Sequence, residues 1–397
     1  MMSGKDSTYF RNRFLIHFPQ VSLPSVSEFR TVTRDASLNP IQKVKGYGNI
    51  LVRFIDAFDD IDSNYVERIR YDFTTMMQAT SNYEFYNLGS HDLSQRLSFA
   101  QNFDLRLGPY FGWKWLFLGY TVDLLNLGSS SHKTGSRFEL SIYTSMIGAD
   151  FFYRETGNDF FIRSIVGLSD EAKKFEGRDC SYISSSMKGI NLYYNFNHRR
   201  YSSPAVYSQS TVQRKSAGSL QLGCSITAHD VHFDYSALPE QLFTEIQGTN
   251  IFQSVERIKY IDYSVSVGYG YNWVFFPDWC LGISVNPALG YKRTSTQTAI
   301  LVGATDEEQQ PQTEEDNGIR GKLNDIFRKR GDLNINGTGR VGLIYNNGRW
   351  FTGLFAVLHT FNYRSSGLYF NNTFGTVNLC GGFYFMKNKP KKKKTEE

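Results

Sequence analysis

An eleven-residue stretch with a strict two-residue period constrains the fold of this chain more than any other feature. From Tyr263 to Trp273, aromatic or aliphatic residues alternate with serine, glycine and asparagine. Successive side chains of a β-strand point to opposite faces of the sheet. The stretch therefore predicts a strand with one apolar face and one small, polar face.

The same stretch contains Ser-Val-Gly-Tyr-Gly at 266–270, which differs by one hydroxyl residue from the TVGYG loop that coordinates potassium in channels. Such a loop must be held between membrane-spanning helices of about 20 apolar residues. The longest nearly apolar run is 115–122, and the mean hydropathy of the chain is -0.38. Its context therefore excludes a selectivity filter.

The two-residue period continues beyond residue 70, and the abundance of aromatic residues and glycine favours an all-β protein. A phase slip inside 136–155 is interpreted as a bulge in one long strand. The pattern predicts twelve strands, at 71–88, 95–112, 116–125, 136–155, 159–168, 189–197, 217–229, 260–275, 279–294, 331–346, 349–363 and 371–385.

Short and long connectors alternate between these strands. The short ones lie at 113–114, 156–158, 277–278 and 346–348, and the long ones at 126–135, 169–188, 230–258, 295–330 and 364–370. Short turns on one side and long loops on the other are typical of transmembrane barrels. The predicted fold class is a transmembrane, antiparallel, up-and-down β-barrel of about 12 strands, with a soluble β-sandwich as the alternative.

The chain divides into three parts. Residues 1–69 form an N-terminal, periplasmic segment with a short amphipathic helix at 50–58, residues 70–386 form the barrel, and residues 387–397 form a basic tail. The apolar run 14–18 is too short for a secretory signal. We therefore expect the signal peptide of an outer-membrane protein to have been removed or missed.

Three segments of the chain resemble a family of bacterial outer-membrane β-barrel proteins classed as a domain of unknown function. They are NYVERIRYDFTTMMQATSNYEFYNL (64–88), GPYFGWKWLFLGYTVDL (108–124) and YYNFNHRRYSSPAVYSQSTVQRKSAGS (193–219). The resemblance runs from about residue 50 to residue 386. It implies a barrel in the outer membrane of a Gram-negative bacterium, with the lipid bilayer and the barrel-assembly machinery as partners, and it implies no activity.

Charge and motifs argue against nucleotide or nucleic-acid binding. The net charge is +5, but residues 387–397 carry six lysines and two glutamates, so the rest of the chain has no basic stripe. The GTGRVG motif at 337–342 fits GxGxxG. No helix pattern follows it, and no acidic residue follows within the distance that ribose binding needs. No cofactor is predicted.

The remaining polar clusters are weak candidates for a metal site. His229, Asp230 and His232 could bind a metal, but no second cluster completes the ligand set, so we interpret them as a hydrated loop. The four cysteines form no CxxC pair. The acidic run 306–316 is interpreted as a solvated loop. No metal is predicted.

The segment 198–216 is long where a tight turn is expected. His198 could activate Ser202, Ser203 or Ser208, which would make the protein a membrane-embedded lipid or ester hydrolase. Because no acidic residue near it in sequence can orient His198, a structural plug or a loop that binds a periplasmic partner is preferred.

The sequence thus favours a non-enzymatic barrel, either structural or a small-solute channel resembling a porin. Since a charge on the lipid side costs about 2–4 kcal/mol near the midplane, Val267→Arg should impair assembly, and Ser266→Arg should be tolerated unless the lumen is tightly filled. The residues predicted to face the lumen are Ser264, Ser266, Asn272, Asn334, Asn336, Thr338 and Arg340.

Overall fold

The computed structural model describes most of the chain beyond residue 60. The described residues are 31, 33, 39, 42, 46, 60–90, 94–113, 116–119, 122–124, 137–155, 160–180, 182–234, 240, 255–299, 333–365 and 368–387. The predicted helix at 50–58, the acidic run 306–316 and residues 388–397 lie outside them. No helix in the described part has the length and apolar character needed to cross a membrane.

Seventeen strands and two short helices have bounds that lie within the described residues. The strands are β1 (Val66–Arg68), β2 (Tyr71–Ser90), β3 (Arg96–Gln101), β4 (Arg106–Trp113), β5 (Leu116–Gly119), β6 (Val122–Asp123), β7 (Arg137–Tyr143), β8 (Ile147–Glu155), β9 (Phe160–Val166), β10 (Ile183–Asn195), β11 (Thr211–Gln213), β12 (Ala217–Phe233), β13 (Val255–Phe276), β14 (Trp279–Ala299), β15 (Leu333–Asn346), β16 (Trp350–Ser365) and β17 (Leu368–Lys387). The helices are α1 (Asp170–Lys173) and α2 (Pro204–Tyr207).

One antiparallel sheet contains all the long strands. Its hydrogen-bonded order is β5-β4-β2-β17-β16-β15-β14-β13-β12-β10-β8-β7, with β3, β6 and β9 attached beside this path. Inward side chains of β8 meet those of distant strands, as Phe152 meets Phe374 of β17 at 6.3 Å between ring centroids. The sheet is therefore rolled around a lumen. Among the described residues no pairing joins β5 to β7, so the described sheet is not closed there.

The prediction of an all-β barrel is confirmed, but the strand predicted at 136–155 is wrong. It is a hairpin in which β7 pairs with β8 around a turn at 144–146. Thr144 stabilises the turn through its side chain, which accepts a hydrogen bond from the amide of Ile147 at 2.9 Å. The phase slip therefore marks a turn rather than a bulge.

The strand predicted at 159–168 also has a different place. β9 pairs with β3, which pairs with the last residues of β2. β8 does not pair with β9 but with β10. The strand predicted at 95–112 is interrupted at 102–105, which separates β3 from β4. The last residues of β2 are therefore followed in the wall by β3 and β9, whereas its first residues are followed by β4 and β5.

Three long strands extend into the connectors predicted at 169–188 and 230–258. β10 begins at Ile183, β12 ends at Phe233 and β13 begins at Val255. The extension holds because Ile183 and Phe233 face each other across the ladder and are both buried.

The two faces of the sheet differ in the way that the alternating pattern predicts. Val265, Val267 and Tyr269 are 58%, 54% and 55% exposed, whereas Ser264 is 4% exposed. Large apolar side chains are exposed on most other strands too, such as Phe111, Leu354 and Leu379. A β-sandwich would bury these side chains between two sheets. The single rolled sheet with an apolar outer surface rules that alternative out.

Candidate functional site

The interior of the rolled sheet is the candidate site, and its first part is a segment between β10 and β12. Residues 201–213, here called the inner plug, include α2 and β11 and are almost all buried. They lie at the turn end, which is the end of the sheet with the short turns 277–278 and 347–349. β11 pairs with β1, so the chain just before β2 closes over the plug.

Glycines on the inward faces of the strands make room for the inner plug. A Cβ atom on Gly270 would lie 2.3 Å from the hydroxyl oxygen of Tyr201, and one on Gly342 would lie 2.5 Å from a methyl carbon of Val206. Both distances are shorter than real contacts allow. Gly270 of the SVGYG stretch and Gly342 of the GTGRVG stretch therefore serve the packing of the plug, whereas a Cβ atom on Gly339 would meet no atom within 4 Å.

Gln213 connects the inner plug to the wall. Its side-chain nitrogen donates to the carbonyl oxygens of Arg200 at 2.7 Å and Lys215 at 2.8 Å. Its side-chain oxygen accepts from the amide of Ser202 and from Asn272 of β13, both at 3.0 Å. Since an amide donates and accepts in fixed directions, these bonds set the position of the plug relative to β13.

A chain of polar side chains continues from the plug into the lumen. Asn195 donates to Ser203 at 3.4 Å and accepts from Gln221 at 2.8 Å. Gln221 accepts in turn from Ser284 at 3.1 Å, and Asn286 donates to Ser284 at 2.9 Å. The network spans β10, β12 and β14, so these inward polar side chains bond to one another.

An ion pair crosses the middle of the lumen. Arg340 of β15 donates to Asp150 of β8 at 2.8 Å, and the two side chains are only 3% and 7% exposed. Asp150 also accepts from Tyr143 at 2.9 Å and from Asn191 at 3.2 Å. The guanidinium of Arg340 lies 5.0 Å from the ring centroid of Tyr193. β8 and β15 are five places apart in the strand order, so this pair joins opposite walls.

A second buried carboxylate lies nearer the loop end, opposite the turn end. Asp262 accepts from Asn334 at 2.7 Å and from Asn336 at 3.0 Å, and Ser264 also donates to it. Lys292, its partner across the β13–β14 ladder, is buried with its ammonium 4.1 Å from the ring centroid of Tyr363. Carboxylate and ammonium therefore both have partners inside the lumen.

The loop end is closed by a cluster of apolar side chains, here called the outer apolar layer. Its aromatic rings contact one another closely, as Tyr86 does with Phe370 and Phe99 with Tyr182, at 5.5 and 5.4 Å between centroids. The connector after β9 contributes Ala172 and Cys180. The other members are Leu88, Leu97, Phe160, Ile162, Ile165, Ile183, Val231, Phe233, Ile258, Tyr260 and Tyr363.

A cavity of about 30 Å³ lies between Asn191, Thr227, Asn286, Thr338 and His359. A buried water needs roughly 10–15 Å³ of such space, so the cavity has room for about two waters and for no larger solute.

The structure does not bring the hydrolase candidates together. His198 contacts the carbonyl oxygen of Asn195 at 3.3 Å and faces the carboxylate of Asp60 at 3.8 Å. Ser202 contacts the hydroxyl of Thr211 at 2.7 Å, and Ser208 contacts that of Ser210 at 3.2 Å. No hydrogen bond among the described residues joins His198 to Ser202, Ser203 or Ser208.

The environment of His198 does not favour a charged imidazole. Burial lowers the pKa of His198, and the Asn195 carbonyl and the Asp60 carboxylate oppose this shift without cancelling it. Asp60 is the acidic neighbour that sequence reasoning missed, because 138 positions separate the two residues and only the fold brings them close.

His229, Asp230 and His232 lie in β12, so their interpretation as a hydrated loop is wrong. His229 is buried and stacks on Tyr260 at 4.4 Å between centroids. Asp230 instead pairs with Arg257, which donates two hydrogen bonds of 2.8 Å. Neighbouring strand residues face opposite ways. No group of three metal-binding side chains occurs in the part of the chain that the structure describes.

The residues predicted to face the lumen are placed as follows. Ser264, Asn272, Asn334, Asn336 and Arg340 are buried, with the partners given above. Ser266 and Thr338 are half-buried beside the 30 Å³ cavity, and Thr338 contacts the ring of His359 at 3.1 Å.

The rolled sheet, with its apolar outer surface and polar, filled interior, defines a transmembrane β-barrel. The family model of a domain of unknown function (DUF4421) matches residues 60–385, and the chain belongs to this family. A search of curated proteins gives no match.

Solved structures similar to this chain are outer-membrane proteins at very low identity. A bacterial polysaccharide outer membrane secretin is 8% identical over 80% of this chain and 99% of that chain, with a TM-score of 0.24. The Pseudomonas putida toluene transporter TodX is 6% identical over 80% and 91%, with a TM-score of 0.18. An anion-selective porin from Comamonas acidovorans is 9% identical over 78% and 98%, with a TM-score of 0.19. TM-scores this low carry no argument about activity.

Proposed function

We propose that this protein is a structural outer-membrane β-barrel whose lumen is closed to solutes. The observation that carries the proposal is the buried Arg340–Asp150 pair, which joins opposite walls at 2.8 Å. Removing two charges from water is costly unless each has good partners. A pair placed across the lumen, with Tyr143 and Asn191 as further partners, supports a fixed closure of the pore.

The inner plug and the outer apolar layer support the same function from the two ends. A solute entering at the turn end would have to displace the buried residues Tyr201 and Val206, and one entering at the loop end would have to part the rings of Tyr86 and Phe370. In this proposal the residues predicted to face the lumen fill it, and 198–216 acts as a plug rather than as the binding site of a periplasmic partner.

Single-channel recording in planar bilayers tests this function. The wild-type protein should show no steps at any voltage. A variant with residues 203–210 replaced by a short glycine-serine linker should also stay silent, because the middle pair remains. The same replacement combined with Asp150→Ala, Arg340→Ala and the ring deletions Tyr86→Ala and Phe370→Ala, which open the outer apolar layer, should conduct.

Regular steps from the wild-type protein would contradict a closed lumen and would favour the small-solute channel. Folding of each variant is checked first by the different gel mobility of unheated and heated samples. The hydrolase alternative is tested separately, by assaying lipid and ester turnover with His198→Ala. Asp60 lies beside His198, but among the described residues no hydrogen bond joins His198 to Ser202, Ser203 or Ser208.

A further inference from the structure

Three neighbouring strands end side by side at the turn end. β16, β17 and β2 are adjacent in the sheet. Trp350 at the start of β16 is paired with Phe383 of β17, and Lys387 at the end of β17 is paired with Tyr71 at the start of β2. The side chains at these strand ends therefore share one sector of the rim.

An aromatic patch covers the outer surface of this sector. Trp350 is 54% exposed, and its ring lies 5.0 Å from that of Phe383 between centroids. Phe73 and Phe385 stack beside them at 5.7 Å. Aromatic side chains form the girdles of membrane barrels at the level of the lipid headgroups.

Exposed cations stand directly beyond the aromatic patch. Arg349 precedes Trp350, Lys387 ends β17, and Arg70 precedes β2. Arg70 has Glu67 at 3.1 Å, yet its side chain is 73% exposed. Within the described residues Arg349 and Lys387 have no salt bridge. Long basic side chains can lie along apolar surface while their charges reach the headgroups.

We propose that this sector binds the headgroups of anionic phospholipids in the leaflet at the turn end. The phosphate accepts hydrogen bonds from Arg70, Arg349 and Lys387, and the acyl chain lies against Trp350 and Phe383. An acidic soluble partner would meet cations alone, whereas here the cations border an exposed apolar surface. The inference requires the bilayer location but does not depend on whether the lumen is closed.

Fluorescence quenching by brominated lipids tests this binding. The protein is reconstituted in phosphatidylcholine vesicles that contain either brominated phosphatidylglycerol or brominated phosphatidylcholine. The contribution of Trp350 is obtained by subtracting the signal of Trp350→Phe. At low salt, the preference of Trp350 for phosphatidylglycerol should be several-fold, and it should fall as salt screens the charges.

The variant Arg70→Gln/Arg349→Gln/Lys387→Gln should reduce this preference to about one, because each exposed charge near the surface contributes to lipid attraction. A matched control, Arg257→Gln/Lys259→Gln/Arg293→Gln, removes three cations near the loop end and should keep it. All six positions are at least partly exposed, so both variants should fold, which gel mobility verifies.

Two results would overturn the proposal. One is equal quenching by the two lipids in the wild-type protein, and the other is a preference that survives in the first variant or is lost equally in both. If the wild-type protein shows no lipid preference but binds polyglutamate through these three residues, the sector recognises a carboxylate polymer and the proposal is wrong.

Discussion

The inner plug and the outer apolar layer close the two ends of the same lumen by different chemistry. At the turn end, Gln213 and Asn272 hold the plug through directed hydrogen bonds of 2.7 to 3.3 Å. At the loop end, rings such as Phe99 and Tyr182 pack with no required direction. Directed hydrogen bonds fix one position of the plug relative to the wall. Apolar side chains can rearrange, provided that the volume that they fill is kept.

The difference follows from what each closure contacts. The inner plug is one short segment that must match glycines on the strands around it, such as Gly270 and Gly342. The outer apolar layer is built from side chains of many strands and of the connector after β9. Neighbouring side chains at the loop end can therefore repack when the connector after β9 changes. Few neighbours can adjust when the plug changes.

The largest effect should come from breaking the Arg340–Asp150 ion pair, which lies between the two closures. Asp150→Ala leaves the guanidinium of Arg340 buried without its carboxylate, which should cost about 3–5 kcal/mol in the free energy of unfolding. Urea unfolding in detergent, followed by gel mobility, measures it. The matched variant Asp150→Leu/Arg340→Met removes both charges and should recover most of this loss. Equal losses in both variants would show that the pair itself does not carry the effect.

The outer apolar layer should respond nearly as strongly to a cavity. Phe99→Ala removes a fully buried ring and should cost about 3–4 kcal/mol, as deletions of buried aromatic side chains do. Phe99→Leu, which keeps most of the volume, should cost much less, since apolar packing can adjust. The same urea series measures both variants. A Phe99→Leu loss as large as that of Phe99→Ala would contradict the tolerance that we infer for this end.

The position of the inner plug should depend on the hydrogen bonds of Gln213, even when a side chain of similar shape replaces it. Gln213→Leu keeps the volume but removes the partner of the Ser202 amide and of the carbonyl oxygen of Arg200, at a cost of about 2–3 kcal/mol. Gln213→Glu serves as the control that keeps the acceptor and loses the donor. Limited proteolysis of 198–216 measures exposure of the plug. Resistance of Gln213→Leu equal to that of the wild type would show that the plug does not depend on these bonds.

The smallest effect should be the pH dependence from His198. Its folded-state pKa is lowered by burial, so the unfolded chain binds the proton more tightly and stability falls as pH drops below about 6.5. His198→Gln should flatten this part of the profile without changing stability above pH 7. Urea midpoints between pH 5 and 8 provide the measurement. An unchanged slope in His198→Gln would assign the effect to other groups.

The sequence predicts those features of the fold that depend on neighbours along the chain. Alternation locates β13 and β14 and separates the exposed Val267 from the buried Ser264, because a two-residue period is a local property. It does not distinguish a bulge from the turn at 144–146, since both shift the phase by a small number of residues. Thr144 and Ser145 were the available turn signal.

Contacts between distant residues account for what the sequence does not predict at the candidate site. Nothing near Asp150 in the chain indicates Arg340, 190 positions away. The outer apolar layer has a faint local signal, because inward positions such as Ile258 and Tyr260 are apolar near the loop end. Ser266 borders a cavity with room for about two waters, so we now expect Ser266→Arg to impair folding as Val267→Arg does.

The bond between Tyr384 and the inner plug has a consequence for the order of folding. The hydroxyl of Tyr384 in β17 donates to the carbonyl oxygen of Gln209 at 2.5 Å across 175 residues, and Asn346 donates to the same hydroxyl at 2.8 Å. The plug lies in the middle of the chain, whereas Asn346 and Tyr384 belong to the last third of the chain. Because contacts between distant residues form slowly, the plug should reach its final position only after β17 joins the sheet. Any truncation that removes β17 should therefore leave 198–216 open to protease.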